Sequence, residues 1–158
     1  MTASLPNAAD LVGSRRRILV TGGAGFIGGA VVRRLLRESD VIVFNLDKMG
    51  YASDLTSIEE ELTTLGSDQA DRHQLLKVDL ANADAVRDAV QIANPDLVMH
   101  LAAESHVDRS IAGPGVFIES NVTGTYNLLQ AVRDHHEGLS GERQTQFRLH
   151  HISTDEVF

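Results

Sequence analysis

The sequence predicts an α/β fold, a doubly wound parallel sheet with helices on both faces. Three observations carry this. Short β-branched or leucine-rich runs alternate with segments of helical period, several of those runs are apolar at consecutive positions, and a glycine-rich bend joins the first run to the first helix. A strand covered on both faces needs consecutive apolar residues, whereas a sheet with one wet face would alternate.

The strand candidates are residues 18–21, 41–46, 75–78, 96–101 and 148–153. Between them lie the helices. One is centred on Val86, Ala89, Val90 and Ala93 and stops at Asn94-Pro95, where the proline ring disfavours further helix. Another carries the stripe Ile118, Val122, Thr125, Leu129 and Val132, spaced 4, 3, 4, 3, which is expected to lie against the sheet. Gly113-Pro114-Gly115 breaks the chain before this stripe, and Gly138 ends it after a last turn holding His135 and His136. Right-handed crossovers, with a reversal of direction after the third strand, give the strand order 3-2-1-4-5. Residues 1–14 have no periodicity and read as a mobile N-terminal extension, leaving 15–158 as the domain.

Length and charge narrow the function. With 158 residues, one domain with a sizeable core is expected. Twenty-two acidic residues against fourteen basic ones give a net charge of −8, which repels nucleic acid but leaves room for a small anion held by a helix N-terminus. The absence of cysteine excludes disulfides, thiolate metal sites and a thiol nucleophile, and fits a cytoplasmic protein. Arg15-Arg16-Arg17 followed by the apolar stretch 18–32 superficially suggests an export signal or a membrane span. That stretch is too short and too rich in glycine for either, so no membrane association is expected.

The motif with most chemical content is Thr21-Gly22-Gly23-Ala24-Gly25-Phe26-Ile27-Gly28, placed directly after the first strand. Glycine allows a tight turn at Gly22, the approach of a pyrophosphate to the backbone at Gly25, and close packing of helix on strand at Gly28. Asp47 follows Gly25 by 22 residues and ends the second strand, where a carboxylate can accept hydrogen bonds from ribose hydroxyls. A 2′-phosphate at about 4 Å would meet repulsion on the order of 4 kcal/mol at an effective dielectric near 20, which favours NAD over NADP; the neighbouring Lys48 would offset part of this. Asp79 and Leu80 end the third strand, where Asp79 either meets an adenine or caps the next helix. The pairs His135-His136 and His150-His151 are expected at the surface, because adjacent residues face different directions, and no metal site is expected. His106 either touches substrate or caps its loop, and Tyr126 is expected to pack within its helix.

The bend and the later motifs resemble the extended short-chain dehydrogenase/reductase group of Rossmann-type enzymes, in particular its NAD-dependent epimerase/dehydratase family and the dTDP-glucose 4,6-dehydratases within it. The most specific pieces are Asn45-Leu46-Asp47-Lys48, the run from Leu101 through Ala102, Ala103, Glu104, Ser105, His106, Val107, Asp108 and Arg109 to Ser110, Ser120-Asn121-Val122-Thr123-Gly124-Thr125, and above all Ser153-Thr154-Asp155-Glu156-Val157-Phe158. The resemblance implies that Phe26, Ile27, Asp47, Lys48, Met49, Gly50, Asp79, Leu80, Leu101, Ala102, Ala103, Glu104 and Ser120 line an NAD site, and that Ser105 touches the sugar of a nucleotide-sugar substrate. It further implies that Thr154 orients that sugar while Asp155 serves as general acid and Glu156 as general base.

Adjacent carboxyl residues suit the dehydration that the resemblance implies. Once C4 of the hexose is a ketone, a base must take the C5 proton while an acid protonates the departing C6 hydroxyl. The tyrosine and lysine of the family are expected beyond Phe158, with the substrate-binding domain, so the 158 residues alone are expected to be inactive and the full-length enzyme to be a homodimer. The alternatives are a nucleotide-sugar 4-epimerase of the same fold, which has no water to eliminate, and a truncated NAD-binding module without catalysis.

Overall fold

The computed structural model describes residues 15–154; the expected extension 1–14 and residues 155–158 lie outside that range. Its elements run β1 (Arg17–Thr21), α1 (Phe26–Glu38), β2 (Ile42–Asp47), α2 (Thr56–Leu65), a 3₁₀ segment (Ser67–Arg72), β3 (His73–Lys77), α3 (Ala83–Ala93), β4 (Leu97–His100), α4 (Val107–Ala112) and α5 (Pro114–Phe117). A π-helical segment (Ile118–Gly124), α6 (Thr125–Gly138), α7 (Gly141–Gln146) and β5 (Arg148–His151) complete the order. The five strands form one sheet in the order β3-β2-β1-β4-β5. Every pair is parallel, as the alternation of strand and helix requires.

β1 lies at the centre, and its successive side chains serve opposite faces. Ile18 and Val20 join Val32, Leu36, Val43 and Ile58 in the layer under α1 and α2. Leu19 points the other way, into a cluster with Phe44, Leu46, Val86, Val90, Val98 and Leu128 under α3 and α6. Each such side chain contributes about 1.5–3 kcal/mol by leaving water. The expectation of strands buried on both faces holds for β1 and β2 but fails for β3 and β5, whose residues are mostly exposed or half-buried. Both are edge strands with a neighbour on one side only.

Helix ends follow local chemistry. Asn82 caps α3 by accepting from the Ala85 amide, and Asn94, in the left-handed region at φ 41°, ends that helix just before Pro95. The guanidinium of buried Arg72 donates to the carbonyls of Leu36 and Ser39, placing a cation at the negative end of α1.

The chain from Pro114 to Gly138 is helical throughout, with the π segment at its middle, and this corrects the expected stripe. Ile118, Val122 and Leu129 are 58%, 59% and 42% exposed, and Tyr126, expected to pack, is also exposed. The buried face instead carries Gly124, Asn127, Leu128, Ala131 and Val132. A π turn holds more residues than an α turn, so a stripe counted at the α period across it rotates off the sheet. Gly124 fixes the new register, since a Cβ there would lie 2.8 Å from the Cβ of Leu80. Asn127 adds a hydrogen bond to the Leu80 carbonyl at 2.8 Å.

This register predicts that Leu128→Ala lowers unfolding free energy by about 2–5 kcal/mol while Leu129→Ala lowers it by less than about 1 kcal/mol. Urea unfolding of the two variants measures both, and the reverse ranking would restore the stripe read from the sequence.

Candidate functional site

The predicted cofactor residues converge on the carboxyl edge of the sheet, where β1, β2 and β4 end side by side. After Thr21 the chain turns through Gly22 at φ 70°, a conformation side chains resist, and a Cβ there would also lie 2.7 Å from Ala102 Cα. At Gly28 a Cβ would overlap the carbonyl oxygen of Gly22, so α1 packs against the bend only because that side chain is missing. Gly25 differs from both. The only atom near a Cβ at Gly25 would be the Gly22 oxygen at 3.3 Å, and the remaining side is open.

α1 begins at Phe26 with Gly25 as its cap residue, and no side chain covers its first amides. Those N–H groups have no intrahelical acceptor and sit at the positive end of the helix, an arrangement that favours phosphate. Beside them Phe26 is 96% exposed and Ile27 is 63% exposed, an unusual display of apolar surface at a helix start. Open backbone at Gly25, uncapped amides and adjacent apolar side chains together fit a dinucleotide with a pyrophosphate at its middle.

Asp47 is buried and already serves the protein. Its Oδ2 accepts from the Ala24 amide at 3.1 Å, and its Oδ1 accepts from the Met49 amide and the Ser53 hydroxyl, each at 2.8 Å. One carboxylate thus ties the glycine bend to the loop after β2. A carboxylate offers about four lone-pair positions, so one, on Oδ2, stays available to an incoming hydroxyl.

Lys48 pairs with another of the predicted cofactor residues. Its ammonium lies 2.7 Å from Glu104 Oε1, so its charge is matched within the protein. Asn121 holds Glu104 from both directions, its Oδ1 accepting from the Glu104 amide and its Nδ2 donating to the Glu104 carbonyl, each at 2.8 Å. Ser120 sits beside Asn121 on the π segment, half-buried. Met49 takes a positive φ of 58° and is half-buried, with Gly50 exposed beyond it.

The end of β3 contributes less side-chain chemistry than expected. Leu80 is buried in the core, so only its backbone faces the edge. Asp79 accepts from the Ala81 amide and shapes the turn before α3, while Asn82 performs the capping. Leu101 and Ala102 are half-buried, Ala103 and Ser105 are exposed, and Thr154 is exposed past the end of β5. Asp155 and Glu156 lie outside the described residues.

Sequence reasoning missed a buried polar chain directly beneath this edge. The Ala102 amide donates to Thr21 Oγ1 at 3.2 Å, Thr21 Oγ1 lies 2.6 Å from His100 Nδ1, and His100 Nε2 lies 3.0 Å from Thr125 Oγ1. The neutral imidazole has one donor and one acceptor nitrogen, and a hydroxyl can take either role, so both threonines satisfy the buried ring. Burial, with a smaller contribution from the His151 ring 5.0 Å away, pushes the pKa of His100 down to about 4. A histidine inside an apolar strand run, with threonines on either side of it in space, was the available signal. His135 and His136 also depart from expectation, since both are half-buried and pack against Phe147.

Comparison with known proteins bears on this geometry. The family model described as GDP-mannose 4,6 dehydratase matches residues 19–158. The chain belongs to that family. Among curated dehydratases, the dTDP-glucose 4,6-dehydratase of Shigella flexneri is 48% identical over 142 residues, covering 90% of this chain and 38% of that protein. The chain therefore spans well under half the length of the curated relatives it matches. A dTDP-glucose 4,6-dehydratase from Streptomyces venezuelae, solved with NAD bound, superposes with a TM-score of 0.64 at 40% identity, covering 75% of this chain and 36% of that one. A Thermus thermophilus UDP-glucose 4-epimerase in complex with NAD gives a TM-score of 0.61 at 33% identity, covering 75% and 34%. The parallel sheet with order 3-2-1-4-5 and the family resemblance read from the motifs are both borne out. Among the described residues no helix is long and apolar enough to cross a membrane.

The buried histidine generates a pH prediction. Its folded pKa lies below the ordinary 6.5, so the unfolded chain binds the proton more readily and stability falls as pH drops from 6.5 toward 4. The full effect is on the order of 3 kcal/mol, and His100→Gln should flatten the fall of melting temperature across that window. Parallel melting curves for the two proteins would contradict the assignment.

Proposed function

We propose that the full-length protein is an NAD-dependent dTDP-glucose 4,6-dehydratase that converts its substrate to the 4-keto-6-deoxy sugar and water. The observation that carries this is the uncapped, open glycine bend at the start of α1, joined by Asp47 to the loop where a ribose would rest. The family and the dTDP-glucose dehydratases at nearly half identity support the reaction class. The curated dehydratases of Shigella flexneri and Salmonella typhimurium, 48% and 44% identical, are named for dTDP-glucose, which favours that nucleotide sugar as the substrate.

The amides at the start of α1 bind the pyrophosphate and Asp47 accepts from the adenosine ribose, with Phe26, Ile27, Met49, Gly50, Asp79, Leu80, Leu101, Ala102, Ala103 and Ser120 lining the rest. Bound NAD supplies reversible hydride acceptance, from C4 of the hexose and back to C6. Ser105 and Thr154 hold the sugar. Glu156 takes the C5 proton while Asp155 gives its proton to the leaving C6 hydroxyl, so that water departs as the double bond forms. Two roles for neighbouring carboxyl groups require that one be protonated when the other is not. The enzyme is cytoplasmic, in keeping with its lack of cysteine, and it acts as a homodimer, for which the exposed apolar residues Ile118, Val122, Tyr126 and Leu129 offer a surface.

Assay of the full-length protein with dTDP-glucose should yield the 4-keto-6-deoxy product, with sedimentation giving the mass of two chains. Glu156→Gln should lower kcat by about 10²–10⁴-fold with NAD affinity unchanged. Epimerisation without water loss, or full turnover by the variant, would overturn this function.

A further inference from the structure

Two side-chain links cross the carboxyl edge of the sheet between the loops after β2 and β4. One is the ion pair of Lys48 with Glu104 at 2.7 Å. The other stacks the guanidinium of Arg109, in α4, 3.8 Å from the ring centre of Tyr51. β1 lies between β2 and β4 in the sheet, so both links pass the end of β1, where the glycine bend opens.

Glu104 is fixed through its own amide and carbonyl by Asn121, and the loop carrying Lys48 and Tyr51 is fixed by Asp47, which accepts from Met49 and Ser53. Neither link satisfies a core requirement. Tyr51 and Arg109 are both exposed, and neither belongs to the hydrophobic clusters beneath the sheet. An exposed tyrosine held under an arginine of α4 adds little to folding stability, and the segments that the contact joins flank the glycine bend.

We infer that Lys48–Glu104 and Tyr51–Arg109 form a clasp that closes over the dinucleotide in the glycine bend and slows its release. This rests on the cofactor site proposed above. A cofactor oxidised and re-reduced in each turnover gains nothing from leaving, so slow dissociation suits the chemistry, and two weak links can open for loading. Lys48 and Glu104 neutralise each other, so the clasp carries only the single positive charge of Arg109, which suits a neighbouring pyrophosphate.

The test uses full-length protein loaded with NAD and chased with excess unlabelled cofactor, the release of radiolabelled NAD being followed directly. Lys48→Met and Arg109→Met should each speed release by about fivefold, and the double variant by more than either alone. Tyr51→Leu should match Arg109→Met, and Tyr51→Phe, which keeps the ring, should release at close to the wild-type rate. Melting temperatures without cofactor should stay within about 2 °C of wild type, which separates retention from folding. Release at the wild-type rate or slower in both Met variants overturns the clasp. A wild-type protein that takes up no NAD overturns the cofactor reading instead.

Discussion

The bend after β1 has to pass so close to the end of β4 and the start of α1 that no side chain fits at Gly22 or Gly28. Gly22 nearly touches the Ala102 backbone, and Gly28 rests on the Gly22 carbonyl. This contact of backbone with backbone sets the start of α1, and therefore the place and direction of its unpaired amides. Everything assigned to the carboxyl edge is arranged around that point. Asp47 ties the bend to the loop after β2, Thr21 ties it to the loop after β4, and the loops are fixed in turn by Asn121 and Ser53.

Polar bonds in this region do structural and chemical work with the same atoms. Asp47 spends most of its acceptor capacity inside the protein, and the lone pair left over is oriented by those bonds. His100 stays neutral because burial opposes its charge, which lets it link β1, β4 and the helix from Pro114 to Gly138 without placing a cation beneath the edge. The π segment belongs to the same design. It brings Gly124 against Leu80 and Asn121 against Glu104, two contacts that the α period would not present together.

Features set by short-range spacing were legible in the sequence. The glycine bend, the strand runs, the position of Asp47 and the end of α3 at Asn94 all follow from local period and turn chemistry. Features set by contacts between distant residues were not. The stripe through Ile118, Val122 and Leu129 failed because the π turn is fixed by Leu80, far away in the chain. Lys48 looked like a free cation until Glu104 was placed beside it, and His100 was hidden in a run that reads as plain buried strand. The resemblance added what spacing could not, namely roles for Thr154, Asp155 and Glu156.

The central claim is that the open amides of the bend hold the pyrophosphate of NAD, with Asp47 beside the adenosine ribose. Calorimetric titration of the folded full-length protein, stripped of cofactor, with NAD and with NADP tests it most directly. The account predicts saturable uptake of one NAD per chain, with NADP binding weaker by at least about tenfold because its 2′-phosphate would face the Asp47 carboxylate. No uptake of either dinucleotide, or tighter binding of NADP, would contradict it.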